Sequence, residues 1–194
     1  MRLLVVGEPG SGKTSWCREY IDEQRKRGAT VGGIVCPAIQ QQGQRVGSNA
    51  LDLLTGQAVP FARLSGRSPF KAGEKIGDYT ISRDGIWFAR GAIQRATESS
   101  CGLVVIDEVG PLELSGKGLM PAVESALTSA VNVLVVVRSS LREALQKRFP
   151  EHGFVVVADL TRSRSNGSGL ADSRGHQAAD CESSSRSRHP EETE

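Results

Sequence analysis

The most chemically specific feature of this sequence is a glycine-rich stretch near its N-terminus. Its positions match the phosphate-binding pattern G-x-x-x-x-G-K-[ST]. They are Gly7, Glu8, Pro9, Gly10, Ser11, Gly12, Lys13 and Thr14. This pattern requires a buried strand before it and an amphipathic helix after it. The apolar run at 3–6 and the helical spacing of residues 14–26 predict both.

Each residue type in this loop has a physical role toward phosphate. Gly7, Gly10 and Gly12 let the backbone turn tightly, so that successive N–H groups converge on phosphate oxygens. The N-terminus of the following helix adds positive potential at the same point. We expect Lys13 to contact the β- and γ-phosphates and the Thr14 hydroxyl to ligate Mg²⁺. The loop therefore predicts binding of a nucleoside triphosphate with Mg²⁺ as cofactor.

A carboxylate pair, Asp107 and Glu108, follows the apolar run at 103–106. In P-loop proteins such a strand lies beside the strand that precedes the loop, which brings its terminal carboxylate near the metal. We expect Asp107 to hold Mg²⁺, directly or through water, and Glu108 to activate the water that attacks the γ-phosphate. Residues 107–110 also match the D-x-x-G of GTPases. The guanine-recognising N-K-x-D tetrapeptide is absent from the sequence, so the preferred base stays open.

Other charged residues near these motifs leave alternatives open. Glu113 is either a polar residue of the site or a loop acid that fixes the adjacent Gly-Pro turn. Arg138 either neutralises transition-state charge on the γ-phosphate or forms a structural salt bridge at a strand end. The later basic residues, Arg142, Lys147 and Arg148, are typical of a solvated helix face.

The surrounding pattern predicts an α/β fold with a mostly parallel central sheet covered on both faces, because near-continuous Val/Ile/Leu runs alternate with helices. Strands are predicted at 3–6, 31–35, 103–106, 133–137 and 154–157, a hairpin at 45–54 and 59–64, and helices at 14–26, 86–98, 120–129 and 141–149. The segment 65–77 is predicted to be a mobile loop. Its Arg67, Lys71 and Lys75 are the only candidates for a kinase-type lid.

Composition divides the chain into a domain at 1–160 and a tail at 161–194. The tail has eight serines and five arginines but one large aliphatic residue, so we expect it to be disordered. Its Arg-Ser alternation is compatible with RNA binding or phosphorylation, while the acids between favour a plain solvated tail. With a net charge of +2 over 194 residues, no field favours nucleic acid or an anionic membrane.

Cysteine spacing and hydropathy bear on location. The four cysteines (Cys17, Cys36, Cys101 and Cys181) form no C-x-x-C and have no companion histidines, which argues against zinc and against a disulfide framework. The apolar runs have the length of strands and are too short to cross a membrane. The apolar run at the N-terminus is also too short for a signal peptide, and the charged residues Glu8 and Lys13 follow it at once. We expect a cytoplasmic protein, monomeric, with no membrane contact.

The motifs together resemble the THEP-type nucleoside-triphosphatases, also called cancer-related nucleoside triphosphatases. Beyond the P-loop, the resemblance rests on G-G-I-V at 32–35, R-V-G at 45–47 with L-D-L at 51–53, G-D-Y-T-I at 77–81 and D-E-V-G-P-L-E-L at 107–114. These elements follow the family order across residues 1–160. Ser48 stands where the family usually has an aromatic residue.

The resemblance implies a RecA-like, three-layer P-loop fold and slow, Mg²⁺-dependent hydrolysis of ATP, GTP and other triphosphates to diphosphate and phosphate. Two other functions stay open on the residues alone. One is a nucleoside- or nucleotide-kinase-type phosphotransferase, and the other is a nucleotide-dependent binding module.

Overall fold

The computed structural model describes residues 1–99 and 101–161. The strands there are β1 (Arg2–Gly7), β2 (Val31–Val35), β3 (Ala38–Gln41), β4 (Gln44–Asp52), β5 (Ala58–Leu64), β6 (Gly73–Ile76), β7 (Tyr79–Ser82), β8 (Leu103–Val109), β9 (Asn132–Arg138) and β10 (Phe154–Leu160). The helices there are α1 (Lys13–Lys26), α2 (Arg83–Glu98), α3 (Pro111–Leu114), α4 (Met120–Thr128) and α5 (Arg142–Arg148). The predicted α/β class is confirmed.

One half of the sheet is parallel and the other half is antiparallel. The parallel half has the order β10-β1-β9-β8-β2 and contains the strands predicted from continuous apolar runs. Beyond β2 the order continues β4-β5-β7-β6, with β3 also on β4, and every pairing there is antiparallel. The sheet is therefore mixed rather than mostly parallel as the apolar runs predicted, and its parallel half carries the P-loop.

Alternate residues of the parallel strands bury against opposite layers, which explains their continuous apolar sequence. In β8, Val104 and Ile106 belong to the core on the side of α2 and α4, while Leu103 and Val105 belong to the core on the side of α1. On the α1 side, the helix residues Cys17 and Ile21 are buried and pack in the same core as Leu103 and Val105. Helices thus cover both faces of the parallel half of the sheet.

The segment predicted to be a mobile loop, 65–77, contains a strand, so the loop prediction is wrong for Gly73–Ile76. A short 3₁₀ turn at Ser65–Arg67 is followed by β6, which pairs with β7. Strand β6 is an edge strand whose first residues are exposed and include Glu74 and Lys75. Charged residues on an edge strand discourage pairing between molecules and also remove the alternation by which a strand is predicted.

The strand that ends in the carboxylate pair does not lie beside the strand before the P-loop, contrary to the prediction. Strand β9 lies between β1 and β8 and is parallel to both. Because all three strands are parallel, their carboxyl ends still meet at one edge of the sheet. The predicted proximity of the two motifs is therefore kept across an intervening strand.

The predicted tail begins at Thr161, and the rest of it, 162–194, lies outside the described residues together with Cys181. Cys17, Cys36 and Cys101 are buried and free. No helix in the described ranges is long and apolar enough to cross a membrane.

Candidate active site

The P-loop connects β1 to α1 in the conformation that its glycines allow. Gly10 and Gly12 have φ of 79° and 87°, and Gly12 precedes the first turn of α1. Gly7 is required for a different reason, since a Cβ there would lie 2.9 Å from Leu160 Cβ and 2.5 Å from Ser11 Oγ. That hydroxyl is buried with no hydrogen-bond partner in the described part of the chain. The loop therefore leaves one buried hydroxyl free to bond a ligand.

The positive potential at the N-terminus of α1 is not neutralised by side chains of its first turn. Its first turn contains no acidic residue, while Arg25 and Lys26 lie in its last turn. The first intrahelical bond runs from Trp16 N–H to the Gly12 carbonyl at 2.9 Å, so earlier N–H groups have no partner within the helix. Such a terminus favours an anion.

Lys13 is half-buried and bonds its own loop. Its Nζ donates to the carbonyl oxygens of Gly7 at 2.9 Å and Glu8 at 2.7 Å. Burial is the main cause that lowers the pKa of Lys13, while the nearby carboxylates of Glu108 and Asp107 oppose that shift. The amine is thus already at the loop, paired with acceptors that phosphate oxygens can replace.

Asp107 is a buried residue near the carboxyl end of β8 and contacts the first turn of α1. Thr14 Oγ1 donates to Asp107 Oδ2 at 2.9 Å, and the N–H of Cys36, which follows β2, donates to the same oxygen at 3.0 Å. Burial raises the pKa of Asp107, the Glu108 charge adds to that shift, and these hydrogen bonds oppose it. A buried carboxylate beside a hydroxyl suits a hard cation, because both offer oxygen ligands and a cation would stabilise the ionised form.

Glu108 lies in a bulge of β8. The register with β9 shifts between Asp107 and Val109, and Glu108 has φ of 109°, a strained value for a residue with a side chain. Its Oε1 accepts a hydrogen bond from Arg45 of β4 at 3.1 Å. The bulge removes Glu108 from the regular ladder at the point where the strand meets the cleft.

Glu113 is a structural acid at the start of α3. It is buried, and its oxygens accept the N–H groups of Gly110 at 2.9 Å and Leu119 at 3.0 Å. Burial raises the pKa of Glu113, against these backbone hydrogen bonds. Of the two alternatives left by the sequence, this geometry favours the acid that fixes the turn.

Arg138 ends β9 at the mouth of the same cleft and is exposed. Among the described residues, no carboxylate lies within ion-pair distance of Arg138, so the structural salt bridge is not observed. Ser139 instead donates to the carboxylate of Glu8. The other arginines considered, on α5, do form pairs: Arg142 with Asp159 at 3.8 Å, and Arg148 with Glu124 at 2.8 Å.

A cleft of about 420 Å³ lies between the P-loop, the start of α1, the β3–β4 hairpin and the carboxyl ends of β8 and β9. Of the residues predicted from sequence, its lining includes Pro9, Gly10, Gly12, Lys13, Thr14, Asp107 and Glu108. Sequence reasoning assigned no site role to Arg18 of α1 or to Gln40 and Arg45 of the β3–β4 hairpin, which also line it. Of these three residues, only Arg45 belongs to a sequence motif, the R-x-G triplet of the family resemblance. That motif did not indicate a role for Arg45 in the site.

Comparison with known proteins agrees with this architecture. A family profile described as NTPase matches residues 2–168. A nucleoside-triphosphatase THEP1 from Methanopyrus kandleri is 33% identical over 162 residues, covering 84% of this chain and 81% of the relative. A second, from Methanosarcina acetivorans, is 34% identical over 159 residues, covering 81% and 86%.

Two solved structures share the fold. THEP1 from Aquifex aeolicus superposes with a TM-score of 0.66 at 22% identity, covering 85% of this chain and 92% of that one. A human cancer-related nucleoside triphosphatase gives 0.62 at 22% identity, covering 85% and 90%. On the profile match and the identity to its relatives, this chain belongs to the THEP1 family of nucleoside-triphosphatases.

Proposed function

We propose that this chain hydrolyses nucleoside triphosphates to diphosphate and phosphate in an Mg²⁺-dependent reaction at the cleft between the P-loop and the end of β8. The observation that carries the proposal is the 2.9 Å contact between Thr14 Oγ1 and Asp107 Oδ2. It joins the helix start that would bind phosphate to the strand end that carries the carboxylate pair. Family membership supports the hydrolysis itself, and the geometry supports the residues assigned below.

The triphosphate would bind along the P-loop backbone and the N-terminus of α1. Lys13 exchanges the carbonyl oxygens of Gly7 and Glu8 for oxygens of the β- and γ-phosphates, which carry a full charge and hold the ammonium more strongly. Pro9, Gly10, Ser11 and Gly12 complete the loop, and the backbone N–H groups of Gly10 and Gly12 would face the phosphate chain.

Thr14 and Asp107 would hold Mg²⁺ through their side-chain oxygens. When bound, Mg²⁺ neutralises charge on the β- and γ-phosphates. The Thr14 hydroxyl now donates to Asp107 and would turn a lone pair to the cation instead. The buried Asp107 carboxylate would thereby gain a positive counter-charge in place of the hydrogen bond from Thr14, and it can keep the hydrogen bond from the Cys36 N–H.

Glu108 would act as the general base. It accepts a proton from water as the water oxygen bonds to the γ-phosphorus, while the bond from that phosphorus to the β–γ bridging oxygen breaks. The products are the nucleoside diphosphate and inorganic phosphate, and Glu108 returns the proton to solvent. Its position beside Asp107, out of the strand ladder and on the cleft wall, supports this role.

The phosphotransferase alternative has less support. Its lid candidates, Arg67, Lys71 and Lys75, are not among the residues that line the cleft. Arg67 and Lys75 line a separate, shallow depression with Asp78. The binding-module alternative uses the same nucleotide cleft and differs only in what hydrolysis would control.

Phosphate release without any acceptor tests the proposal. Purified protein is assayed with ATP, GTP, CTP and UTP, with Mg²⁺ and then with excess EDTA, and Lys13→Ala is the matched inactive control. We expect release that needs both Mg²⁺ and Lys13. Release that appears only when a nucleoside or nucleotide acceptor is added would establish the phosphotransferase instead.

A further inference from the structure

We propose that Arg45 is a positioning residue that holds the Glu108 carboxylate in its reactive orientation. The inference rests on the proposed role of Glu108 as general base. It assigns a function to the β3–β4 hairpin, which no P-loop motif includes.

The ion pair joins two halves of the sheet. Arg45 Nη2 lies 3.1 Å from Glu108 Oε1, although the two residues are 63 positions apart in the sequence. Arg45 belongs to antiparallel β4, and Glu108 belongs to parallel β8. Both side chains are partly covered, with 39% and 31% of their surface exposed. Partial burial weakens solvent screening, so this pair is worth more than a fully exposed one.

Arg45 is itself anchored from a third strand. Its guanidinium carbon lies 5.8 Å from the centre of the Tyr79 ring of β7, and the Tyr79 hydroxyl donates to the Arg45 carbonyl at 3.2 Å. The ring face and the hydroxyl therefore fix both the side chain and the backbone of Arg45. An arginine whose side chain and backbone are both held in this way presents its guanidinium to Glu108 at a defined position.

Glu108 needs such a partner because its bulge supplies none. In the described part of the chain, the bond from Arg45 is the only hydrogen bond or ion pair of the Glu108 side chain. The adjacent Asp107 carboxylate adds like charge. Without Arg45, the Glu108 carboxylate would rotate among several staggered orientations, and only those that face the γ-phosphate are productive.

A double-mutant cycle tests this inference. Arg45→Ala, Glu108→Gln and the double variant are compared in single-turnover release of phosphate from saturating Mg²⁺-ATP, with KM measured in parallel. We expect Arg45→Ala to lower kcat on the order of 10- to 100-fold with little change in KM. In the Glu108→Gln background, the same change should cost almost nothing further, because the group that it positions is already absent. Arg45→Lys should restore part of the rate.

A matched arginine elsewhere controls for the loss of a pair. Arg148 lies 2.8 Å from Glu124, is 36% exposed and has its guanidinium carbon 5.8 Å from the Phe149 ring, but it lies outside the cleft. Arg148→Ala should leave kcat unchanged. Additive losses in the cycle, or a higher KM for ATP in Arg45→Ala, would overturn the inference and make Arg45 a phosphate contact. Wild-type hydrolysis by Glu108→Gln alone would overturn the role of Glu108 as well.

Discussion

Thr14 and Asp107 are in direct contact although β9 lies between β1, which leads into the P-loop before Thr14, and β8, which carries Asp107. The hydroxyl at the start of α1 lies 2.9 Å from the carboxylate at the end of β8. Neighbouring strands lie about 4.8 Å apart, so β1 and β8 are separated by about twice that distance. The P-loop and the first turn of α1 cross the carboxyl end of β9 and close this gap. The phosphate-binding loop and the carboxylate pair therefore form one site.

Removal of the P-loop lysine should abolish hydrolysis with little effect on folding. In Lys13→Ala, two partly exposed hydrogen bonds to loop carbonyls are lost, which costs about 1 kcal/mol of unfolding free energy. Phosphate release and thermal unfolding measure the two effects. Lys26→Ala, at the other end of α1, is the matched control and should retain full activity. Equal activity in the two variants would remove the P-loop from the mechanism.

Two buried serines should respond to alanine with opposite sign. Ser48 of β4 is 1% exposed, and its Oγ has no hydrogen-bond partner in the described residues. Its cross-strand neighbours are Ala38 and Ala62. Ser48→Ala removes an unpaired buried hydroxyl, so we expect the unfolding free energy to rise by about 1 kcal/mol.

The contrasting serine is Ser82, which caps α2. Its Oγ accepts the Gly85 N–H at 3.1 Å. Ser82→Ala should lower the unfolding free energy by about 1 kcal/mol. Urea unfolding of both variants gives the comparison. A Ser48→Ala protein that loses as much stability as Ser82→Ala would mean that the Ser48 hydroxyl has a partner after all.

The two motifs at the site could be predicted from the sequence because each is a local pattern. Eight consecutive residues define the P-loop, and a four-residue apolar run followed by Asp107 and Glu108 defines the strand end. The parallel strands were equally predictable, since burial on both faces demands continuous apolar residues.

The antiparallel half of the site could not be predicted in the same way. The short strands β3 and β6 are mostly exposed and lack alternation. The meeting of Arg45 with Glu108 depends on the pairings β4–β2 and β2–β8, which no local pattern specifies. For the same reason, the sequence motifs predicted that β8 lies directly beside β1, whereas β9 lies between them in the fold.

Loss of the Glu113 carboxylate should cost stability. In Glu113→Gln, an amide nitrogen replaces one oxygen that now accepts a backbone N–H, which leaves that donor unpaired in a buried turn. We expect a loss of about 1–3 kcal/mol of unfolding free energy. Activity should fall only as far as the folded fraction falls, because Glu113 fixes the turn and lies outside the cleft lining.

The same variant gives a pH signature with a definite sign. Burial raises the pKa of Glu113 in the folded protein, so the folded state binds more protons than the unfolded state just above the ordinary value of 4.5. In that window, the contribution of Glu113 to stability falls as pH rises. The stability difference between wild type and Glu113→Gln should therefore shrink as pH rises from about 4.5 toward the raised pKa. A difference that grows with pH would contradict the burial argument.

Glu108→Gln should separate binding from chemistry. The substitution keeps the size of the side chain and leaves an amide oxygen that Arg45 can still contact, but it removes the group that accepts the proton of water. Thr14 and Asp107 remain to hold Mg²⁺, and one negative charge leaves the cleft, so affinity for the triphosphate should be kept or should rise. Hydrolysis should fall about 10²–10⁴-fold, equivalent to roughly 3–5 kcal/mol of barrier.

Asp107→Asn is the matched substitution one residue earlier, and it should behave differently. It removes a proposed Mg²⁺ ligand, so Mg²⁺-dependent binding of the triphosphate should weaken together with the rate. Because burial disfavours the Asp107 charge, the nucleotide-free Asn variant should be at least as stable as wild type. Equilibrium binding of a non-hydrolysable triphosphate, single-turnover phosphate release and thermal unfolding are measured for both variants. If both variants lost triphosphate binding and phosphate release to the same extent, Glu108 would act through the metal rather than on water. Near-wild-type hydrolysis by Glu108→Gln would remove Glu108 from the chemistry altogether.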